Sequence, residues 1–190
     1  MNLINKKRGF TLVETLIAIA ILMIAIAGPL TIANNALIAA LGSRNAMVAT
    51  YLAQDGMETL KNIKDNNLAG NPGNPGSQFL TNIGNSSQCS NSSISASCQI
   101  PTLWSNGFYI QGQLTTCGSN NNCSLYTDTV NGYSYSTSGT ITPFTRYYYV
   151  SGPYPNGSNQ DAIVTVVVSW TDGSIPNAVT LQEVMSNVQR

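Results

Sequence analysis

The sequence predicts an α+β protein in which one long N-terminal helix packs on a C-terminal antiparallel β-sheet. Three patterns lead to this fold class. An uncharged apolar run extends from Thr15 to Ser43, an amphipathic helical pattern follows over residues 44–66, and residues 162–170 alternate with the period of a strand. The apolar face of that strand needs a cover, and the helix carries the largest apolar stripe available.

The first element is the stretch from Gly9 to Leu41. At a rise of about 1.5 Å per residue, the ~20 residues after Gly9 cross the roughly 30 Å hydrocarbon core of a bilayer. Three cations, Lys6, Lys7 and Arg8, precede it and hold that end in the cytoplasm, so the rest of the chain faces outward. We interpret residues 10–43 as a single-pass transmembrane helix.

A carboxylate, Glu14, stands near the start of this apolar helix. A charge there is costly and suggests a function with a partner. A basic segment followed by an apolar one is also the order of a signal peptide. Two cleavage sites are therefore open: one near Ala25-Ile26-Ala27, and one at the Gly9–Phe10 junction, which would leave the helix on the mature protein.

Residues Lys6 to Leu30 resemble the type IV prepilin signature, in which a short basic leader ends in Gly and is followed by Phe-Thr-Leu-aliphatic-Glu. The resemblance makes residues 1–9 the leader, with Gly9 as its last residue. It makes Phe10 the N-methylated mature terminus. A prepilin peptidase performs both reactions, and an inner-membrane assembly platform then packs the subunit, helix against helix, with other pilin subunits.

The physical reading of Glu14 agrees with this resemblance. A carboxylate buried in a water-free helical bundle needs a cation, and the new α-amine of a neighbouring Phe10 supplies one. The alternative is a simple membrane anchor in which Glu14 sits at headgroup level.

Gly28 and Pro29 interrupt the apolar run. Proline lacks an N–H and crowds the preceding turn, so a helix kink is expected at this pair. In pilins a Gly/Pro pair in the corresponding region bends or melts on assembly. The alternative is a proline that the membrane helix simply tolerates.

Residues 44–66 form the amphipathic half of the helix. Apolar or small residues recur every four positions at Val48, Leu52, Gly56 and Leu60, while Asp55, Glu58, Lys61 and Lys64 take the other side. Glu58 and Lys61 are expected to form a weak surface pair. The segment from Leu52 to Glu58 is similar to the corresponding part of minor pilins.

The helix is expected to end near Asn66-Asn67. Residues 67–103 carry repeated Gly-Asn-Pro and then many Ser and Asn, which predicts a long and poorly packed connecting loop. Residues 104–190 then form the sheet of a globular head.

Four cysteines lie at Cys89, Cys98, Cys117 and Cys123. Disulfides are permitted outside the cytoplasm, and three pairings are possible. We favour Cys89–Cys98 and Cys117–Cys123, because each closes a short polar loop. Zinc is the competing interpretation, but no Cys-x-x-Cys spacing and no histidine are present.

An antiparallel sheet of three to five strands is predicted. A broken strand over Trp104–Leu114 and weak strands over residues 124–142 precede a convincing strand at Arg146–Val150. The hairpin follows, with strands Ala162–Trp170 and Ala178–Val188 joined by a turn at residues 171–174. The order of this half is similar to that of minor pilins.

The sequence gives little indication of an enzyme or of a cofactor. It contains no histidine and no Ser/His/Asp set or phosphate-binding glycine loop. Asp128, Asp161 and Asp172 lie near loops, where calcium ligation is possible but solvated turn aspartates are commoner. No metal site is predicted.

Removing the leader leaves five Lys and Arg against eight Asp and Glu, so the mature chain is slightly acidic. Its cations are scattered, which disfavours nucleic acid as a partner without excluding a local basic patch.

Three functions follow from the sequence. The first is a structural subunit, a minor pilin or pseudopilin, that starts in the inner membrane and ends on the pilus or cell surface. The second is an exposed adhesion or DNA-uptake subunit with Tyr- and Asn-rich contacts. The third is a single-pass anchored binding protein or enzyme.

Overall fold

A computed structural model describes residues 11–70, 79–84, 89–90, 94, 96–101, 104–105, 108–109, 114–118, 123–129, 132–156 and 159–187. These residues form one helix, α1 (Leu12–Gly70), followed by seven strands: β1 (Trp104–Ser105), β2 (Phe108–Tyr109), β3 (Ser124–Asp128), β4 (Gly132–Ser134), β5 (Thr140–Asn156), β6 (Asn159–Asp172) and β7 (Ile175–Ser186). Strands β3 to β7 make a five-stranded antiparallel sheet in the order β4-β3-β5-β6-β7. The predicted α+β, pilin-like architecture is confirmed.

The chain divides into two compact units between Arg44 and Asn45. In the first unit every residue from Thr11 to Leu41 is exposed. The second unit, which we call the head, contains the last part of α1 and all seven strands.

Within the head, α1 presents one buried stripe to the sheet. The buried members are Ala49, Leu52, Ala53, Gly56, Met57, Leu60, Ile63, Asn67 and Leu68. The predicted end near Asn66-Asn67 is therefore wrong, and α1 continues to Gly70. Contacts outside the helix stabilise these last residues. Leu68 is buried, and Asn67 Nδ2 donates hydrogen bonds to the carbonyls of Phe79 and Thr81, at 3.4 and 2.6 Å.

The predicted hairpin, β6 and β7, forms one edge of the sheet. Strands β6 and β7 pair from Asp161↔Ser186 to Asp172↔Ile175, so the turn consists of two residues, Gly173 and Ser174. Gly173 has a φ of 64°, which glycine adopts without steric cost. Val164, Val166 and Val168 are fully buried and Trp170 nearly so, as predicted for one face, but Thr165 and Val167 on the other face are buried as well.

The connection over residues 67–103 is better packed than predicted. Among its described residues, Phe79, Ile83, Cys89, Cys98 and Ile100 are all buried. The backbone also joins the sheet: Val150 N donates to Cys89 O at 2.6 Å, and Cys98 and Tyr148 exchange two hydrogen bonds of 2.9 and 3.0 Å. The few apolar residues of this polar segment thus enter the core, beside the part of β5 that β3 leaves unpaired.

Disulfides join Cys89 to Cys98 and Cys117 to Cys123, which is the pairing favoured above. All four cysteines are buried. The two bridges are neighbours, because Cys117 N donates to the carbonyl of Ser97 at 2.9 Å.

The remaining strands are short. Strands β1 and β2 lie within the predicted broken strand and pair with each other as a separate ribbon, Trp104 opposite Tyr109. Strands β3 and β4 lie within the weakly patterned residues 124–142. The predicted last residue of the final strand, Val188, lies outside the described residues, and β7 ends at Ser186.

Candidate functional site

The N-terminus of α1 is capped by its own sequence. Thr11 Oγ1 accepts a hydrogen bond from the backbone N–H of Glu14 at 3.3 Å, and Thr15 N donates to Thr11 O at 3.2 Å. Thr11 is therefore the N-cap, and Glu14 occupies the third helical position of a Thr-x-x-Glu capping pattern. Thr11 is a residue that the sequence analysis missed, although this pattern before an apolar run signals it. Gly9 and Phe10, the predicted cleavage site, lie outside the described residues.

Glu14 is electrostatically isolated within its helix. Its carboxylate lies in the first turn, where the helix dipole favours a negative charge. The next charged residue along α1 is Arg44, thirty positions later, or about 45 Å along the axis. In the part of the chain that the structure describes, Glu14 forms no ion pair. Any cation that neutralises this carboxylate must therefore come from outside the apolar helix.

The surface of the first unit is apolar on all sides. Its Leu, Ile, Val and Met side chains between Leu12 and Leu41 are 50–76% exposed. α1 is long and apolar enough to cross a membrane. A helix that is apolar all round is stable in lipid or among other helices, so this unit has the length and surface of a membrane anchor.

Gly28 and Pro29 lie within the continuous α1. Proline has no N–H to donate to the carbonyl four residues earlier, so one backbone hydrogen bond of the helix is missing here. Thr31 Oγ1 donates to Gly28 O at 2.8 Å and caps this turn locally. Apart from its chain neighbours and the backbone of its own helix, no atom lies within 4 Å of the position that a Cβ on Gly28 would take, so no packing contact within the described chain requires glycine there.

A buried guanidinium joins α1 to the sheet in the head. The side chain of Arg146 on β5 is only 1% exposed; its Nη1 donates to Asp55 Oδ2 at 2.7 Å and to the Leu52 carbonyl at 3.2 Å. Its Nε donates to the Tyr135 hydroxyl at 3.3 Å, and that hydroxyl donates to Arg146 O at 2.9 Å. Burial alone would lower the pKa of Arg146, but the contacts with Tyr135 and Asp55 outweigh it and raise the pKa above its ordinary value. The arginine therefore stays charged in the folded head.

The predicted calcium candidate Asp172 has a different role. Its Oδ1 accepts from Asn45 Nδ2 at 2.7 Å, and its Oδ2 accepts from Trp170 Nε1 at 2.9 Å and Asn177 Nδ2 at 3.4 Å. Asp172 is therefore neither a solvated turn residue nor a free metal ligand; it ties the start of the head's helix to the β6–β7 turn. No cluster of three or more metal-ligating side chains occurs among the residues that the structure describes.

The cations of the head are used in ion pairs. Lys61 Nζ lies 2.8 Å from Glu183, Lys64 Nζ lies 2.9 Å from Asp65, and Arg146 is paired with Asp55. Lys61 thus bridges to β7 rather than forming the predicted pair with Glu58, and its hydrogen bond to Glu183 raises the pKa of the lysine. These three are all the Lys and Arg side chains in the described part of the head, so it presents no basic patch there.

These features define a membrane-anchored protein: an apolar N-terminal helix with an isolated acidic residue in its first turn leads into an α+β head. The prokaryotic N-terminal methylation motif matches residues 4–28 of the chain. Together with the apolar helix, this match supports a type IV prepilin-like protein. The family is structural rather than enzymatic, and its members assemble with other pilins after processing. No curated protein and no solved structure shows a significant match to the chain.

Proposed function

We propose that this chain is a minor pilin or pseudopilin, a structural subunit of a type IV pilus or a related filament. A prepilin peptidase cleaves it between Gly9 and Phe10 and methylates the new Phe10 amine. The inner-membrane assembly platform then inserts it among other pilin subunits through α1.

The isolation of Glu14 is the observation that carries this proposal. A charged residue inside a bilayer costs about 2.5–3.5 kcal/mol at mid-depth, and burying it in a dry helical bundle costs more unless it is paired. The apolar part of α1 offers no cation between Glu14 and Arg44. Cleavage after Gly9 would place a positive terminus four residues before the carboxylate on each subunit, where a neighbour's Glu14 can use it.

The charge order of the leader supports the proposed location. Lys6, Lys7 and Arg8 retain the N-terminus in the cytoplasm, which puts the head on the far side of the inner membrane. The two disulfides of the head agree with an oxidising compartment. Assembly would then move the subunit from the membrane to the pilus or cell surface.

Gly28 and Pro29 are proposed as the point where α1 bends or unwinds during assembly. The pair lacks one helical hydrogen bond and has open space around Gly28. The missing bond makes the helix easier to bend, and the absent side chain lets a neighbouring helix approach closely at this level.

The mass of the N-terminus on surface-sheared filaments tests the processing step. The expected species begins at Phe10, lacks residues 1–9 and carries one added methyl group. Chain recovered outside the cell with its leader still attached, or cut after Ala27, would contradict the proposal.

The substitution Glu14→Ala tests the pairing. Membrane insertion should be unchanged, because the change makes the segment more apolar, whereas incorporation into filaments should fall about tenfold or more, the factor that corresponds to a lost interaction of about 1.4 kcal/mol. Thr15→Ala, at the next position, is the matched control and should assemble normally. Equal incorporation of Glu14→Ala and the wild type would remove the basis for the Phe10 partnership.

Of the alternative functions, DNA uptake by this subunit is the less supported. Binding to a phosphate backbone depends on available Lys and Arg, and in the described head those residues are engaged in ion pairs.

A further inference from the structure

The sheet has a second face, turned away from α1, which we call the outer face. It consists of the odd-numbered residues 145–151 of β5, the odd-numbered residues 163–169 of β6 and the even-numbered residues 178–184 of β7. The strand register places these residues in four rungs, of which the central two are Tyr149–Thr165–Gln182 and Tyr147–Val167–Thr180. The opposite face is the one that packs against the helix.

The outer face is accessible. On β7 its four residues are all exposed, with Val184 at 61%, and Ile163 on β6 is 36% exposed. Tyr147 and Tyr149 on β5 are half-buried. Thr165 and Val167, on β6 between these β5 and β7 residues, are buried. Gln182 Nε2 donates a hydrogen bond to Thr165 Oγ1 at 3.2 Å.

No side chain of these four rungs is charged; Asp161, on the same side of β6, belongs to the next rung, opposite Ser186. The charged residues of the same strand segments, Arg146 and Glu183, belong to the opposite face, where each is in an ion pair with the helix. A surface that presents hydroxyls, an amide and two phenol rings but no charge fits an electrically neutral partner. It offers nothing to attract a nucleic acid, an anionic lipid or an acidic peptide.

The size of the face limits the partner further. With strands about 4.8 Å apart and same-side residues about 6.8 Å apart, twelve positions cover roughly 400 Å². A stable protein interface buries about 800 Å² on each partner, so a second copy of this chain or another protein would find too little area here. A chain of a few sugar rings fits an area of this size.

The chemistry of the face also matches sugars. A tyrosine combines a flat apolar ring with a polar tip, so it can stack on the apolar C–H side of a sugar ring and bind its hydroxyl rim. Tyr147 and Tyr149 stand on the same side of one strand, about 6.8 Å apart. Thr, Ser and Gln side chains around them supply both donors and acceptors.

We propose that the outer face binds a neutral polysaccharide, with Tyr147 and Tyr149 as the stacking residues and Thr180 and Gln182 as hydrogen-bonding residues. The site lies on the side of the sheet opposite the helix. Its binding can be measured without filament assembly, so the proposal stands or falls independently of the function proposed above.

Calorimetric titration of the full-length chain tests this site. The chain is held in a zwitterionic detergent without a sugar headgroup, so that the detergent does not compete. The neutral probes are cellohexaose, chitohexaose, maltohexaose and mannohexaose, and the anionic probes are a heparin hexasaccharide and a short DNA duplex. At least one neutral hexasaccharide should bind, and no anionic probe should bind more tightly.

Three variants report on the site. Tyr149→Ala should weaken binding at least tenfold, and Thr180→Asp, an exposed position where a charge does not disturb the fold, should weaken it several-fold. Tyr51→Ala removes a tyrosine that is 65% exposed on the helix, and should leave binding unchanged. Thermal unfolding of each variant verifies the fold, and Tyr149→Phe, which keeps the ring, should retain most of the affinity.

The proposal is overturned if none of the neutral hexasaccharides binds at millimolar concentration, or if Thr180→Asp binds as well as the wild type. Tighter binding of an anionic probe would also overturn it. So would concentration-dependent self-association that Val184→Lys abolishes, since the face would then be a contact between copies of this chain.

Discussion

The two parts of α1 share one backbone but bury their side chains by different means. Leu22, in the first unit, is 60% exposed, whereas Leu60, in the head, is fully buried. The first part is apolar on every side, and only an apolar environment outside the chain can cover it. The second part is apolar along one stripe, and the sheet of the same chain covers it.

The glycines of the two parts show the same contrast. No side chain or distant backbone atom lies within 4 Å of a Cβ built on Gly28, whereas a Cβ on Gly56 would overlap Ile100 and press on Val166. Gly56 is therefore explained by packing within the head. Gly28 is not, and its reason must be sought in the surroundings of the helix.

The largest effect should come from one substitution made in both parts of the helix. Leu60→Ala should lower the free energy of unfolding of the head by about 3 kcal/mol, because it leaves a cavity in the core. Leu22→Ala should leave that free energy unchanged, since Leu22 lies outside the head and its side chain is exposed. Urea denaturation followed by tryptophan fluorescence measures both free energies. Equal losses would contradict the different environments of Leu22 and Leu60.

A smaller effect is expected at Asp55. Asp55→Ala leaves the buried Arg146 guanidinium with neutral partners only, which should cost about 2 kcal/mol; the full penalty of a broken buried pair is reduced because Asp55 is itself 68% exposed. The exposed Glu58→Ala, on the same helix, is the control and should be nearly neutral. Adding Arg146→Met to Asp55→Ala should recover part of the loss. A further loss would show that the guanidinium stabilises the head without its carboxylate.

The smallest effect at neutral pH should come from Tyr148→Phe. Its hydroxyl donates to the carbonyl of Ile83 at 2.7 Å in the core, and losing this bond should cost about 1 kcal/mol.

The same tyrosine predicts a pH dependence. Burial raises the pKa of Tyr148 above its ordinary value of 10.0, so the folded state holds this proton after the unfolded state has released it. The resulting stability is present in full below pH 10 and declines by about 1.4 kcal/mol per pH unit above it. Tyr148→Phe should flatten this decline in alkaline urea titrations, and the exposed Tyr154→Phe should not. Parallel curves for Tyr148→Phe and the wild type would contradict the assignment.

Much of the architecture could be predicted because its signals are local. The charge gap after Glu14 and the alternation of Val164, Val166 and Val168 depend only on neighbouring residues, and each predicts its element directly. The packing of the helix on the valine face could also be predicted, because the helix carries the one sizeable apolar stripe that can cover it.

Other features could not be predicted because they depend on distant partners. Arg146 resembles any polar strand residue in the sequence, and only the fold brings it to Asp55, ninety-one positions earlier. In the sequence Asp172 resembles a turn aspartate, and only the structure shows its hydrogen bonds from Asn45 and Trp170. The many Ser and Asn of residues 67–103 predicted a poorly packed loop, but Ile83 and Ile100 of this segment are buried in the core.

The absence of a side chain at Gly56 fixes the position of the helix on the sheet. Leucines stand one turn away on either side, at Leu52 and Leu60. If the helix slid by one turn, about 5.4 Å, a leucine would move into the space that Ile100 occupies beside the glycine. Gly56 and Ile100 therefore interlock. A force along the helix axis should be transmitted to the sheet as shear, because the helix cannot slide past Ile100.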